Sequence, residues 1–374
     1  MQELIDRCSQ GLTERRPLVE AIALAAVAGE HVLVVGPPGT AKSEAARRVA
    51  RSLGGRYFEY LLGKFSEPSE IFGPIDLRQL KEGVLETVTD GMLPEAEIAF
   101  LDEVFAGSSA ILNTLLGLLN ERVFRRGSRL VRCPLRVCIG ASNALPEEDG
   151  LAAFADRLLI RCFVEPVSDP LLETMLEGGR RPFEPAHMTL QQLDQLSQAA
   201  SQVQLDAVRP ALGMVLRRLR QEGIGLSDRR AVKVQNLIAA AAALAGRQQA
   251  TAADLWTTVL AVPTAAAQER ARACLEEALS QTDSPSLWSL AEQAASASRV
   301  RARRLEAEAL RLLELPDSGE RRLRIEGLLR EIDASLLPSH RGPGLEELRQ
   351  LLQLEQAPSL IEGFDISHFQ GQET

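Results

Sequence analysis

Eight residues, Gly36-Pro37-Pro38-Gly39-Thr40-Ala41-Lys42-Ser43, separate an apolar run, His31 to Val35, from an Ala-rich stretch that extends to Leu53. The run suits a buried strand and the stretch suits a helix. A strand that turns directly into a helix through a glycine-rich loop commits the chain to an α/β sheet with helical crossovers. Such a loop can surround a phosphate with backbone N–H groups and the positive end of the helix. Lys42 is then expected to reach terminal phosphates, and Ser43 to ligate magnesium through its hydroxyl. One position departs from the usual pattern, because Ala41 stands where glycine normally precedes the lysine. Alanine disfavours positive φ, so the loop is expected to hold Ala41 in a helical or nearly helical backbone.

A second segment completes a nucleotide site. Glu97 to Leu101 reads as a short strand, followed by Asp102 and Glu103. Adjacent carboxylates at the end of an apolar strand are costly unless a cation or hydrogen-bond donors offset them. Asp102 therefore suits magnesium, directly or through water, and Glu103 suits polarisation of an attacking water. Solvated loop acids are the alternative, weakened because Ser108 to Glu121 reads as an amphipathic helix rather than an open loop. A third strand, Arg136 to Ala141, ends in Ser142-Asn143. An amide there can orient water or a γ-phosphate without adding charge, although by itself Asn143 would read as a turn residue. Ser227 reads as an N-cap, which puts Arg229 and Arg230 in a first helical turn. Cations there oppose the helix dipole, so an external anion such as phosphate would explain them; a solvated pair is the alternative. Arg157, beside Asp156, reads in isolation as half of a surface ion pair.

The order of these motifs resembles AAA+ ATPases, specifically the MoxR branch and RavA-type members, from about Gly11 to Gly246. The resemblance rests on residues 36–43, Phe72-Gly73-Pro74-Ile75, residues 93–103, Ile111 to Leu116 and Asn120-Glu121-Arg122. It continues through Ala141-Ser142-Asn143, Asp156 to Arg161 and Ser227-Asp228-Arg229-Arg230. Alanine at position 41 also occurs in RavA-like loops. The resemblance implies an AAA+ P-loop parallel-sheet core, an all-α lid and a homo-hexameric ring with ATP and Mg2+ at subunit interfaces. It implies that Asn143 is the sensor 1 residue, Arg157 the arginine finger for the neighbour's γ-phosphate and Arg229 the sensor 2 arginine. The segment Ser66 to Gly91 would be the insert after the second helix, facing the ring's axial surface. Such proteins are similar to chaperone-like remodelling factors, often acting with a von Willebrand factor A domain protein.

With 374 residues the chain is expected to hold more than one domain. The expected division is an α/β core over 1–170, an all-helical lid over 171–280, a helical hairpin over 281–340 and a tail over 341–374. Thr189 with Gln192, and Thr251 with Asp254, read as capping boxes, and Gly246 as the close of the helix that starts near Ser227. Ser284-Pro285 reads as the start of a long helix to about Leu315, followed by a turn at 316–319 and a second amphipathic helix. Net charge is −9, so no overall basic field draws in nucleic acid. A local run, Arg122, Arg125, Arg126, Arg129, Arg132 and Arg136, lacks interleaved stacking aromatics beyond Phe124 and suits subunit contacts or a solvated hairpin better than nucleic acid. Five cysteines without metal-binding spacing read as reduced thiols in a cytoplasmic protein. No uncharged apolar stretch supports a membrane span. The last segment, with Phe364-Asp365-Ile366-Ser367-His368, resembles the entry to the nuclease domain of the repair protein UvrC. The resemblance is confined to residues 345–374; a two-metal nuclease needs several converging oxygen ligands, so it reads as a remnant, a fusion scar or an accidental match.

Overall fold

In a computed structural model, the described residues are 1–295 without 82–85, 127–128 and 180–181. Five strands, β1 (Val32–Val35), β2 (Tyr57–Leu61), β3 (Ile98–Asp102), β6 (Val137–Ser142) and β7 (Ile160–Phe163), form one parallel sheet in the order β2-β3-β6-β1-β7. The other two strands, β4 (Val123–Arg126) and β5 (Arg129–Arg132), pair as an antiparallel hairpin. Central strands β1 and β6 are buried at every position, as a sheet covered by helices on both faces requires. The edge strand β2 alternates instead. In its core the sheet order follows the register: Val32 to Val35 pair with Ile139 to Ser142 on one side and with Ile160 to Phe163 on the other.

The helix Arg16–Ala28 is buried along its whole run from Leu18 to Val27. It lies between the sheet and three later helices, Leu190–Ser201, Asp228–Leu244 and Trp288–Ala295. Beyond Leu172 the described elements are all helical. Both capping boxes form, although that of Thr251 and Asp254 opens a 3-10 turn, Ala252–Asp254, rather than an α-helix. Gly246, at φ 74°, follows the helix Asp228–Leu244 and donates to Ala243 O. The lid helix is fastened to the base of β1 by Glu30, whose carboxylate accepts from Lys233 Nζ at 2.6 Å and Asn236 Nδ2 at 2.9 Å.

Ser284-Pro285 does not start a helix; the helix begins at Trp288. Leu287 is fully buried, and the Leu290 N–H is taken by the Glu20 carboxylate at 2.7 Å. A buried carboxylate from a distant helix thus replaces the local cap. The remainder of the expected hairpin, and the UvrC-like tail, lie outside the described residues.

Glu20 is fully buried, 2.8 Å from Arg16 Nε, while the Arg16 guanidinium lies over the Trp288 ring at 4.8 Å. Burial pushes the Glu20 carboxyl up to about 7, against the lowering effect of its bonds from Leu290 and Arg16. Its folded state therefore holds a proton that the unfolded chain has released, and this stabilisation is lost as pH rises through about 7. Glu20→Gln, which keeps an acceptor without the charge, should remove that loss. Urea midpoints of wild type and variant should converge at about pH 5 and separate in the variant's favour at about pH 8. An unchanged difference between the two would refute the assignment.

The arginine run forms the β4–β5 hairpin. Phe124 packs under it against Phe72, with ring centroids 5.6 Å apart, while Arg125, Leu130, Val131 and Arg132 face solvent. Arg122 instead turns inward, donating to Gly29 O at 2.7 Å and Leu119 O at 3.1 Å. Arg136 pairs with Asp194. Among the described side chains, the run is exposed along the hairpin and tied down at its two ends, Arg122 and Arg136. The insert from Ser66 to Gly91 contains two short helices, Pro68–Phe72 and Leu77–Lys81, and an antiparallel bridge between Ile75 and Thr87. No described helix is long and apolar enough to cross a membrane. All five cysteines are free, and burial pushes the Cys138 and Cys162 thiols up to about 12.

Candidate nucleotide site

The loop 36–43 leaves the carboxyl end of β1, and Asp102, Glu103 and Asn143 stand at the ends of β3 and β6. In an open parallel sheet this edge is where ligands bind. Gly36 is obligatory for packing, since a Cβ there would meet Val164 O at 2.2 Å. Gly39 has φ 79°, and the helix Lys42–Leu53 begins with the last two residues of the loop.

Ala41 does not adopt the expected helical backbone. Its φ of 61° and ψ of 26° lie in the left-handed region, which costs a non-glycine residue about 1–2 kcal/mol. The loop keeps the shape that glycine would give it, so the strain must be met by surrounding bonds. Those bonds are visible. Thr40 Oγ1 donates to Pro37 O at 2.9 Å, and Arg15 Nε donates to Thr40 O at 2.9 Å.

Lys42 Nζ donates to Gly36 O at 2.7 Å and Pro37 O at 2.8 Å, folding its ammonium over the loop. Burial lowers the Lys42 pKa, against the opposing pull of Asp102 and Glu103, so the two carboxylates lie within electrostatic reach of the lysine. Asp102 Oδ1 accepts the Glu103 N–H at 3.0 Å, and Asn143 Nδ2 donates to Glu103 Oε1 at 2.5 Å. Glu103 is itself left-handed, with φ 46°. Non-glycine residues held in this region gather at functional sites, where neighbours over-determine them. Four described non-glycine residues have positive φ: Glu14, Ala41, Glu103 and Arg122. The first two are joined through Arg15, whose Nη1 donates to Glu14 O at 3.1 Å.

A second group lies where the core meets the lid. Arg157 Nη1 donates to Ala153 O at 2.5 Å, and its Nε is buried without a hydrogen-bond partner. Burial lowers the Arg157 pKa and the charge of Arg229 lowers it further, against the attraction of Asp156. Two of the three arginines expected to meet phosphate thus lie near each other. Arg229 is exposed on the first turn of its helix.

Arg230 is not available to an anion. It is only 1 % exposed and donates to Ala261 O, Asp156 O, Leu158 O and Leu159 O. Ser227 Oγ reinforces this joint by donating to the Asp156 carboxylate. The helix dipole that opposes a cation here is outweighed by these carbonyls, whose bonds to a charged donor each contribute about 1.5–3 kcal/mol.

The donor set suits a nucleotide-bound magnesium. Ser43 offers a hydroxyl beside Lys42, and Asp102 offers a carboxylate at the end of β3, two strands from β1 in the sheet. Among the described residues no group of three or more His, Cys, Asp or Glu side chains forms a cage for a metal. Magnesium is commonly held by one or two protein oxygens, with phosphate and water filling the remaining positions.

Arg15, Glu14 and Ser168 were not legible as site residues. Arg15 Nη2 donates to Glu165 O at 2.6 Å, and the Glu14 carboxylate accepts from Ser168 N at 2.9 Å and Ser168 Oγ at 2.8 Å. These partners lie 150 and 154 residues apart in sequence, and no local motif links them.

A parallel sheet with this loop, acidic strand end and helical lid defines an ATPase of the AAA+ class. The MoxR domain of MoxR-vWA-beta-propeller ternary systems matches residues 1–204, and an AAA lid domain matches residues 208–271. The chain belongs to this MoxR family. It is 35 % identical to the uncharacterised protein MJ0079 of Methanocaldococcus jannaschii over 257 residues, 68 % of each chain. It is 34 % identical to MJ0812 of the same organism over 68 % of this chain and 69 % of that one. A crystal structure from Cytophaga hutchinsonii, provisionally assigned as an ATPase, shares the fold with a TM-score of 0.60 and 16 % identity, over 75 % of this chain and 94 % of that one.

Proposed function

We propose that the chain binds ATP with magnesium at the loop 36–43 and hydrolyses it, working as a homo-hexameric ring that remodels or activates a partner protein. The observation that carries the catalytic reading is the Glu103 carboxylate, held by Asn143 at the strand ends and within electrostatic reach of Lys42. In this reading the N–H groups of Gly36 to Ser43 and the Lys42 ammonium bind the phosphates. Ser43 and Asp102 would hold a magnesium ion, which would offset phosphate charge. Glu103 takes the proton from the attacking water, and Asn143 fixes the carboxylate's orientation. Arg157 serves the neighbouring subunit's γ-phosphate, and Arg229 acts as the sensor 2 residue of the lid.

A von Willebrand factor A domain protein is the proposed partner. The matched family is named for systems that pair a MoxR domain with such a domain and a β-propeller. The cytoplasm is the proposed location, where the free thiols stay reduced.

Lys42→Ala tests the nucleotide reading. Removing the charge opposite the terminal phosphates should abolish binding of a fluorescent N-methylanthraniloyl-ATP while thermal unfolding stays close to wild type. Retained binding with wild-type affinity would rule out this loop as the phosphate site.

A further inference from the structure

We propose that Arg15 is a positioning residue that braces the phosphate loop from behind and lets alanine stand at position 41. This rests on the nucleotide-binding reading of the loop. The Arg15 side chain is 5 % exposed and spends its guanidinium on three backbone carbonyls: Thr40, Glu165 and Glu14. The Thr40 carbonyl belongs to the peptide that leads into left-handed Ala41. In a trans peptide the C=O and the following N–H point in opposite directions. Pinning Thr40 O to Arg15 behind the loop therefore turns the Ala41 N–H forward, toward the space that phosphate would occupy.

The brace has a fixed footing. Glu165 follows β7, whose extension Val164 donates to Val35 O at 2.9 Å and abuts Gly36. Glu14, itself at φ 58°, is held by its carboxylate on Ser168. Arg15 thus ties the tip of the loop to the strand end beneath it, and the tie does with a side chain what glycine would do with conformational freedom. Lysine could not replace it, because a single ammonium lacks the planar fork that joins Thr40 O to Glu165 O.

A double-mutant cycle between Arg15→Met and Ala41→Gly tests the brace, read by N-methylanthraniloyl-ATP affinity in the full chain. Arg15→Met alone should weaken binding by about ten- to a hundredfold, the equivalent of one charge-assisted hydrogen bond. In the Ala41→Gly background, where the left-handed backbone is free of strain, the same change should cost about threefold or less. Amide exchange of residues 36–43 in nucleotide-free protein should rise about tenfold in Arg15→Met. Equal losses in both backgrounds, or unchanged exchange, would overturn the proposal. Should Arg15→Met unfold, Arg15→Lys carries the same comparison. A wild type that binds no nucleotide would strike the functional reading alone, since the exchange comparison still decides the brace.

Discussion

Arg157→Ala is expected to lower ATP turnover by about 10³–10⁵-fold, the range over which an arginine finger acts. The geometry supports so large an effect. Arg157 is anchored through Nη1 to Ala153 O, and burial together with the nearby Arg229 charge makes its own charge costly to hold. An anion brought to this group would relieve both costs. Because the finger is proposed to act across an interface, the test is complementation. Subunits carrying Arg157→Ala and subunits carrying Glu103→Gln should each be inactive, and mixtures should regain turnover at interfaces that combine an intact Arg157 with an intact Glu103. Co-assembled mixtures without rescue would exclude action in trans. Full activity in a strict monomer would exclude the ring.

Glu103→Gln should slow hydrolysis by about 10²–10⁴-fold, the usual contribution of a positioned general base, with nucleotide affinity kept. Glutamine still offers an oxygen to Asn143 Nδ2, so the bond at the strand ends can survive the loss of the base. Steady phosphate release and equilibrium binding, measured on the same preparation, separate the two effects. Wild-type turnover in the variant would remove Glu103 from the chemistry. Substantial binding with negligible turnover in the wild type would make the chain a nucleotide-switched scaffold.

The parts of the fold that were legible are those written locally. The strand–loop–helix at 31–53, the acidic end of β3 and the capping box of Thr189 each depend on neighbours within a few residues, and each formed as expected. The conformation of Ala41 was not legible, because its left-handed backbone is held by Arg15, a residue 25 positions away from Thr40. The start of the helix at Trp288 was misplaced for the same reason. Its capping carboxylate, Glu20, is 270 residues distant. Arg230 reads from its position in a first turn as an anion ligand, and only the carbonyls of Asp156, Leu158, Leu159 and Ala261 show otherwise. In each case a long-range polar bond overrode a local preference worth less than the bond itself.

The Arg230 joint also has a mechanical consequence. Its guanidinium is shut away from water and spread over four carbonyls on both sides of the core–lid boundary. Separating the two sides at this point would strand the Asp156, Leu158 and Leu159 carbonyls and the guanidinium at once, at about 1–3 kcal/mol for each. The first turn of the lid helix and the Asp156–Leu159 turn, which leads into β7, are therefore tied tightly together. In the proposed ring, a shift of the lid at this joint would act directly on the turn that carries Arg157.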